Sequence, residues 1–249
     1  MTPDSDLQAA LVAAYAAFSH CRRPTSLDAA PTRDPVRILA ELTARPLAEL
    51  TADDLGGYMG WAMTTVGGVG DYKHFLPRIL ELSVLGSAND HMGGDPISLA
   101  RKMMYGAFPG WSADERAAIV TVFDAAWRQT LRAEPSGIAA EEWLRGLIQL
   151  AEPIDGRLAA WLASDDLNAG MHLADAVYAE ILRRDDAAPP FGPDNPYEAY
   201  EVYSNWLAST PVRARLERLI LNLENQDDAW RLEMALDVPM AAYPDVWRG

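Results

Sequence analysis

Apolar side chains recur along this chain at steps of three and four residues, the spacing that gathers them on one side of a helix. Leu7, Leu11, Tyr15 and Phe18 make the first such stripe. Val120, Phe123, Trp127 and Leu131 make a second, and Trp143, Leu144, Leu147, Ile148 and Ala151 a third. No segment sustains the strict alternation of a half-buried strand. The pattern predicts an all-α protein.

Helix starts are marked by local chemistry. Asp34-Pro35, Asp95-Pro96, Asn195-Pro196 and Thr210-Pro211 each place a side-chain acceptor before a proline. The acceptor caps free N–H groups, and proline suits the first helical position because its missing N–H would have no partner there. Ser112 and Glu115 have the spacing of a capping box. Together these signals predict helices beginning near residues 4, 35, 52, 72, 96, 113, 138, 154, 167, 196, 211 and 227. The segment Ala187 to Pro196 cannot continue a helix and reads as a long connection inside a single helical domain over residues 1–249.

The C-terminal half echoes itself. Trp161-Leu162-Ala163-Ser164 returns 45 residues later as Trp206-Leu207-Ala208-Ser209. Leu167, Met171, Ala174 and Tyr178 align at the same offset with Val212, Leu216, Leu219 and Leu223. A repeat of that length built from paired helices has the size of HEAT and armadillo units. The predicted architecture is therefore helical hairpins packed either as a HEAT/armadillo-like array or as an irregular bundle.

The most distinctive stretch runs from Pro46 to Leu82, PLAELTADDLGGYMGWAMTTVGGVGDYKHFLPRILEL. It resembles a group of bacterial proteins of unknown function sharing a PL-x-EL-T-x-x-DL-x-x-Y opening and a D-Y/F-K/R-HFLPR-I/L-LEL core. LAAWLASDD and VRARLERL look like the C-terminal half of the same group. The resemblance implies no activity. Members of that group often carry further cysteines near the position of Cys21, which is the only cysteine here.

Within that stretch Asp71 reads as a helix cap after the turn Gly67-Gly68-Val69-Gly70. Phe75, Leu76, Ile79, Leu80 and Leu82 then share one face. Asp71, His74, Arg78 and Glu81 gather opposite, with Lys73 near the boundary. Pro77 removes an N–H in mid-helix, so a kink or short break is expected there. Asp71, Lys73, His74, Arg78 and Glu81 are the candidate binding residues, with Lys73, His74 and Arg78 suited to an anion or a peptide carboxylate. The alternative is a solvated face with pairs such as Arg78–Glu81. The glycine-rich turn has neither a P-loop string nor a full G-x-G-x-x-G, and it reads as an interhelical turn.

Other chemistry-bearing residues have plainer readings. The Asn89–Asp95 loop offers two carboxylates and His91, but no metal-ligand spacing, and Asp95 is accounted for as a cap. His20 beside Cys21 reads as a helix-end pair, and His172 as a packing residue. Tyr197, Tyr200 and Tyr203 form either an aromatic edge beside Trp206 or part of the core. No catalytic residue, metal ligand set or cofactor motif is assigned.

Charge narrows the partners. The chain of 249 residues carries 21 basic and 36 acidic side chains, a net charge of −15. That charge opposes nucleic acid and anionic membranes. With one cysteine and acidic residues rather than basic ones before the first apolar run, the expected location is the cytoplasm. The leading functional expectation is a helical interaction or scaffold protein that binds another protein. The alternatives are a small-molecule binder or enzyme with a pocket near Asp71–Glu81, and an acidic antagonist of a basic partner.

Overall fold

In the computed structural model, residues 2–88, 90–185, 197–223 and 229–237 are described. They are all-α. The helices are α1 (Ser5–Ala17), α2 (Pro35–Leu42), α3 (Ala52–Leu55), α4 (Tyr58–Trp61), α5 (Val69–Val84), α6 (Pro96–Tyr105) and α7 (Ala113–Arg132). They continue with α8 (Ala140–Gln149), α9 (Asp155–Ala163), α10 (Leu167–Asp185), α11 (Tyr197–Leu207), α12 (Thr210–Leu221) and α13 (Ala229–Leu236). Among the described residues there is no strand, only isolated bridges of Val66 to Ala29 and to Ala62. None of the helices is long and apolar enough to cross a membrane.

The local signals act as the chain's chemistry requires. Asp34 accepts from the N–H groups of Val36 and Arg37, and Asp95 from that of Ser98, each ahead of a proline in the first turn. Ser112 and Glu115 exchange both capping bonds. Two caps differ from the sequence reading, and the short helix α4 was not among the predicted starts. Ser209, one residue before Thr210, is the cap position of α12. α5 begins at Val69, so Asp71 lies inside its first turn and reaches back to accept from Gly68 N–H at 2.7 Å. Asn195 and the connection 187–196 lie outside the described residues.

The contacts divide the chain into two compact units, Met1–Gln129 with Glu142–Leu150, and Thr130–Glu141 with Ala151–Gly249. In the first, α5 packs against α1, α3 and the 3-10 turn Leu47–Glu49. Tyr72, Phe75, Leu76, Ile79 and Leu80 fill its core. α5 runs unbroken through Pro77. The cost of an interior proline, about 3 kcal/mol, is offset by burial of the helix's apolar face. α8 is buried nearly all round, including Arg145 and Gln149, so its apolar stripe understated its burial.

In the second unit α10 packs against α11, α12 and α13. Both WLAS copies end a helix, and Ser164 N–H and Ser209 N–H close equivalent turns onto Trp161 O and Trp206 O. The two indole rings lie 5.6 Å apart. Arg215, also buried, ties α12 to this corner by donating to the carbonyls of Trp161 and Leu162.

Candidate functional site

The polar face of α5 is an internal seam. Lys73 donates to both carboxylate oxygens of Glu115 at 2.8 Å and lies over the Trp111 ring, 4.3 Å from its centroid. His74 pairs through Nδ1 with the carbonyl of Cys21 at 3.0 Å. Arg78 donates to the Leu50 carbonyl and to Glu81, both at 2.6 Å. Glu81 also accepts from the Tyr15 hydroxyl at 2.6 Å, and burial followed by the neighbouring carboxylate drives that phenol far above its ordinary range. The Lys73 and Arg78 side chains are only 15% and 14% exposed. The Arg78–Glu81 pair exists, but on a face covered by neighbours rather than by water.

This geometry gives the HFLPR string a physical role. His74 and Arg78 satisfy the carbonyls of Cys21 and Leu50 in connecting segments, while Phe75 and Leu76 enter the core. Loop carbonyls buried without such donors would be costly. Asp71 accepts from the N–H of Gly68, the residue before α5, and so places a carboxylate at the helix N-terminus that would repel an incoming anion.

A pocket of about 290 Å³ lies elsewhere in the same unit, lined by Gly60, Thr64, Met92, Gly93, Ser98, Arg101, Lys102 and Tyr105. None of the five α5 residues lines it. Ser98, Arg101, Lys102 and Tyr105 stand at i, i+3, i+4 and i+7 on α6, one face of one helix. Lys102 donates to the carbonyls of Gly60 and Ala62 at 2.8 and 3.1 Å, which fixes its ammonium against the end of α4 and leaves one of its three N–H groups for a ligand. Burial pushes its pKa down. Partial burial, and then the nearby positive charge of Arg145, also lower that of Arg101, with Asp95 opposing. Positive charge is thus concentrated here within a chain of net −15. At the mouth, Met92 and Tyr105 are 71% and 65% exposed.

The wall opposite α6 depends on glycine. Gly93 has φ +90°, and a Cβ there would sit 2.6 Å from the Met59 carbonyl oxygen; at Gly94 it would sit 2.1 Å from that of Ala88. Only a residue without a side chain allows such close backbone approach.

Sequence reasoning passed over this site, although two signals for it were present. The chain has only two lysines, Lys73 and Lys102. The helical spacing of Ser98, Arg101, Lys102 and Tyr105 was also readable, but a mixed polar and aromatic stripe does not stand out against apolar ones.

The remaining candidates disperse. His91 lies 3.5 Å from the exposed Asp53 carboxylate, while Asp95 is engaged as a cap. Tyr200 and Tyr203 are buried; the Tyr197 side chain lies outside the described residues. His172 is buried against the Ala133 carbonyl, and burial lowers its pKa. Comparison with family models, with curated proteins and with solved structures finds no match.

Proposed function

We propose that this is a helical binding protein whose ligand is a small organic anion held in the α6 pocket. The observation that carries the reading is the pairing of Arg101 with Lys102 on the wall of a small pocket. There the Lys102 ammonium is pre-positioned by two backbone carbonyls. A carboxylate or phosphate would take the remaining Lys102 N–H as a charge-assisted bond, with the positive charge of Arg101 beside it in the lining. Tyr105 and Met92 offer an apolar edge for the rest of the molecule. The volume suits a metabolite-sized group at the low end of ligand sites.

A second reading keeps the expectation of a protein partner, and the exposed Met92 and Tyr105 at the pocket mouth favour it. An acidic side chain of the partner would then enter the pocket with an apolar neighbour resting on the rim.

The test is a thermal-shift screen of small carboxylates and phosphates against the native protein and Lys102→Met. A ligand that binds only the folded state raises Tm by mass action. The reading expects a shift with at least one aryl or alkyl carboxylate or phosphate, lost in Lys102→Met and in Arg101→Gln. A screen with no shift in the native protein, or shifts unchanged in both variants, refutes it.

A further inference from the structure

Outside that pocket, and sharing no residue with it, three side chains of different chemistry converge where the chain leaves α1. His20 Nε2, Cys21 Sγ and a carboxylate oxygen of Glu115 all lie within 4.8 Å of one another. We propose that they form a binding site for a zinc-like divalent ion, with the fourth position open to water.

The first argument is the orientation of His20. Its Nδ1 is 3.0 Å from the Ala17 carbonyl oxygen, a contact that leaves Nε2 as the ring nitrogen turned toward the cluster. Nε2 lies 3.5 Å from Glu115 Oε1 and 3.6 Å from Cys21 Sγ. Nitrogen, sulfur and oxygen, three ligand types of zinc, thus meet at one point.

Distances make the second argument. With zinc bonds of about 2.0–2.1 Å to nitrogen, about 2.3 Å to sulfur and about 2.0–2.2 Å to oxygen, tetrahedral angles put N and S about 3.6 Å apart and N and O about 3.4 Å apart. The N–S and N–O separations of 3.6 and 3.5 Å match those edges, and the sulfur and oxygen lie within 4.8 Å of each other. Imidazole, thiolate and carboxylate together select a borderline-soft ion rather than calcium or magnesium, which take oxygen alone.

Third, each ligand is already held by an outer partner, as metal ligands are. His20 is oriented by Ala17 O. Cys21 has its backbone fixed by the Phe18 and His74 bonds. Glu115 Oε2 accepts from Ser112 N–H and from Lys73, both at 2.8 Å. Lys73 also reaches Oε1 at 2.8 Å, so an arriving ion competes with the ammonium for that one oxygen and leaves Oε2 engaged. On binding, the thiol gives its proton to solvent and a metal–thiolate bond forms, so each ion taken up releases one proton. The His20 side chain is 65% exposed, which supplies the entry path and the open fourth position.

The experiment titrates cobalt(II) and zinc into the metal-free full-length protein, reading the cobalt spectrum, the affinity by competition, and proton release in weak buffer. The expected result is one ion per chain, a thiolate-to-cobalt charge-transfer band, and about one proton released per ion. Cys21→Ser should abolish the band, and both it and His20→Gln should weaken binding by at least about tenfold. Both positions are at least partly exposed, so the metal-free variants should melt as the native protein does. Absence of binding at micromolar zinc, or binding undiminished in both variants, overturns the proposal.

Discussion

Glu115 is almost wholly out of water, and the Lys73 ammonium and Ser112 N–H together hold its carboxyl below the ordinary range although burial alone would raise it. Removing one member of such a pair leaves an uncompensated buried charge. Lys73→Met is therefore expected to lower the unfolding free energy of the metal-free protein by about 3 kcal/mol, read by urea denaturation. His172 makes a separate prediction, about pH. Its imidazole is buried against the Ala133 and Thr130 carbonyls, with Asp175 and Arg231 the nearby charges. Burial depresses its pKa and Arg231 adds to this, while the carbonyls and Asp175 oppose. The unfolded chain, at about 6.5, then takes up a proton that the folded protein refuses. Stability is thus expected to fall as pH drops through about 6.5 toward the folded value, and to be flat in this respect above it. Denaturation at about pH 8 and about pH 5 should show a smaller difference in His172→Gln than in the native protein; equal differences would contradict the assignment. Next to the pocket residue Gly93, Gly94→Ala sets a Cβ against the Ala88 backbone, which cannot yield easily, so a loss of about 1–3 kcal/mol is expected from the same measurement.

At the scale of elements, α6 shows what is local and what is not. Its start was legible because Asp95 and Pro96 act within four residues of themselves. Asp95→Ala should cost about 1 kcal/mol through the lost cap. It should also lower the Arg101 pKa further, since Asp95 is the nearby charge that favours the guanidinium. The stripes of α1 and α7 were legible for the same reason of short range. The surroundings of α5 were not. Spacing placed Asp71, His74, Arg78 and Glu81 on one side, but nothing in spacing says that Tyr15, Leu50 and Cys21 close over that side. Those partners are 28 to 66 residues away in the chain. A polar helix face bonded to loop carbonyls and one facing solvent have the same sequence pattern. The bridge of Ala29 to Val66 is also a pairing between distant segments, too short to leave an alternating trace.

For the molecule as a whole, the net charge of −15 makes local concentrations of positive charge informative. Both lysines are committed: Lys73 to Glu115 and Trp111, Lys102 to two carbonyls at the pocket. The two differ in what else they face, and under the proposed function that difference separates a structural lysine from a binding one. Composition alone contained the scarcity of lysine, but only the fold places one beside a pocket and the other against a buried carboxylate.

The most direct measurement of the central claim is acylation of the native protein by a small amine-reactive ester at neutral pH, read at each lysine by mass spectrometry. It is run without ligand and with phosphate, benzoate or citrate in turn. The lowered pKa and pocket setting of Lys102 predict that it is acylated faster than Lys73, and that at least one of the three anions slows it while Lys73 is unchanged. Lys102 as unreactive as Lys73, or a rate at Lys102 indifferent to all three anions, would contradict the account.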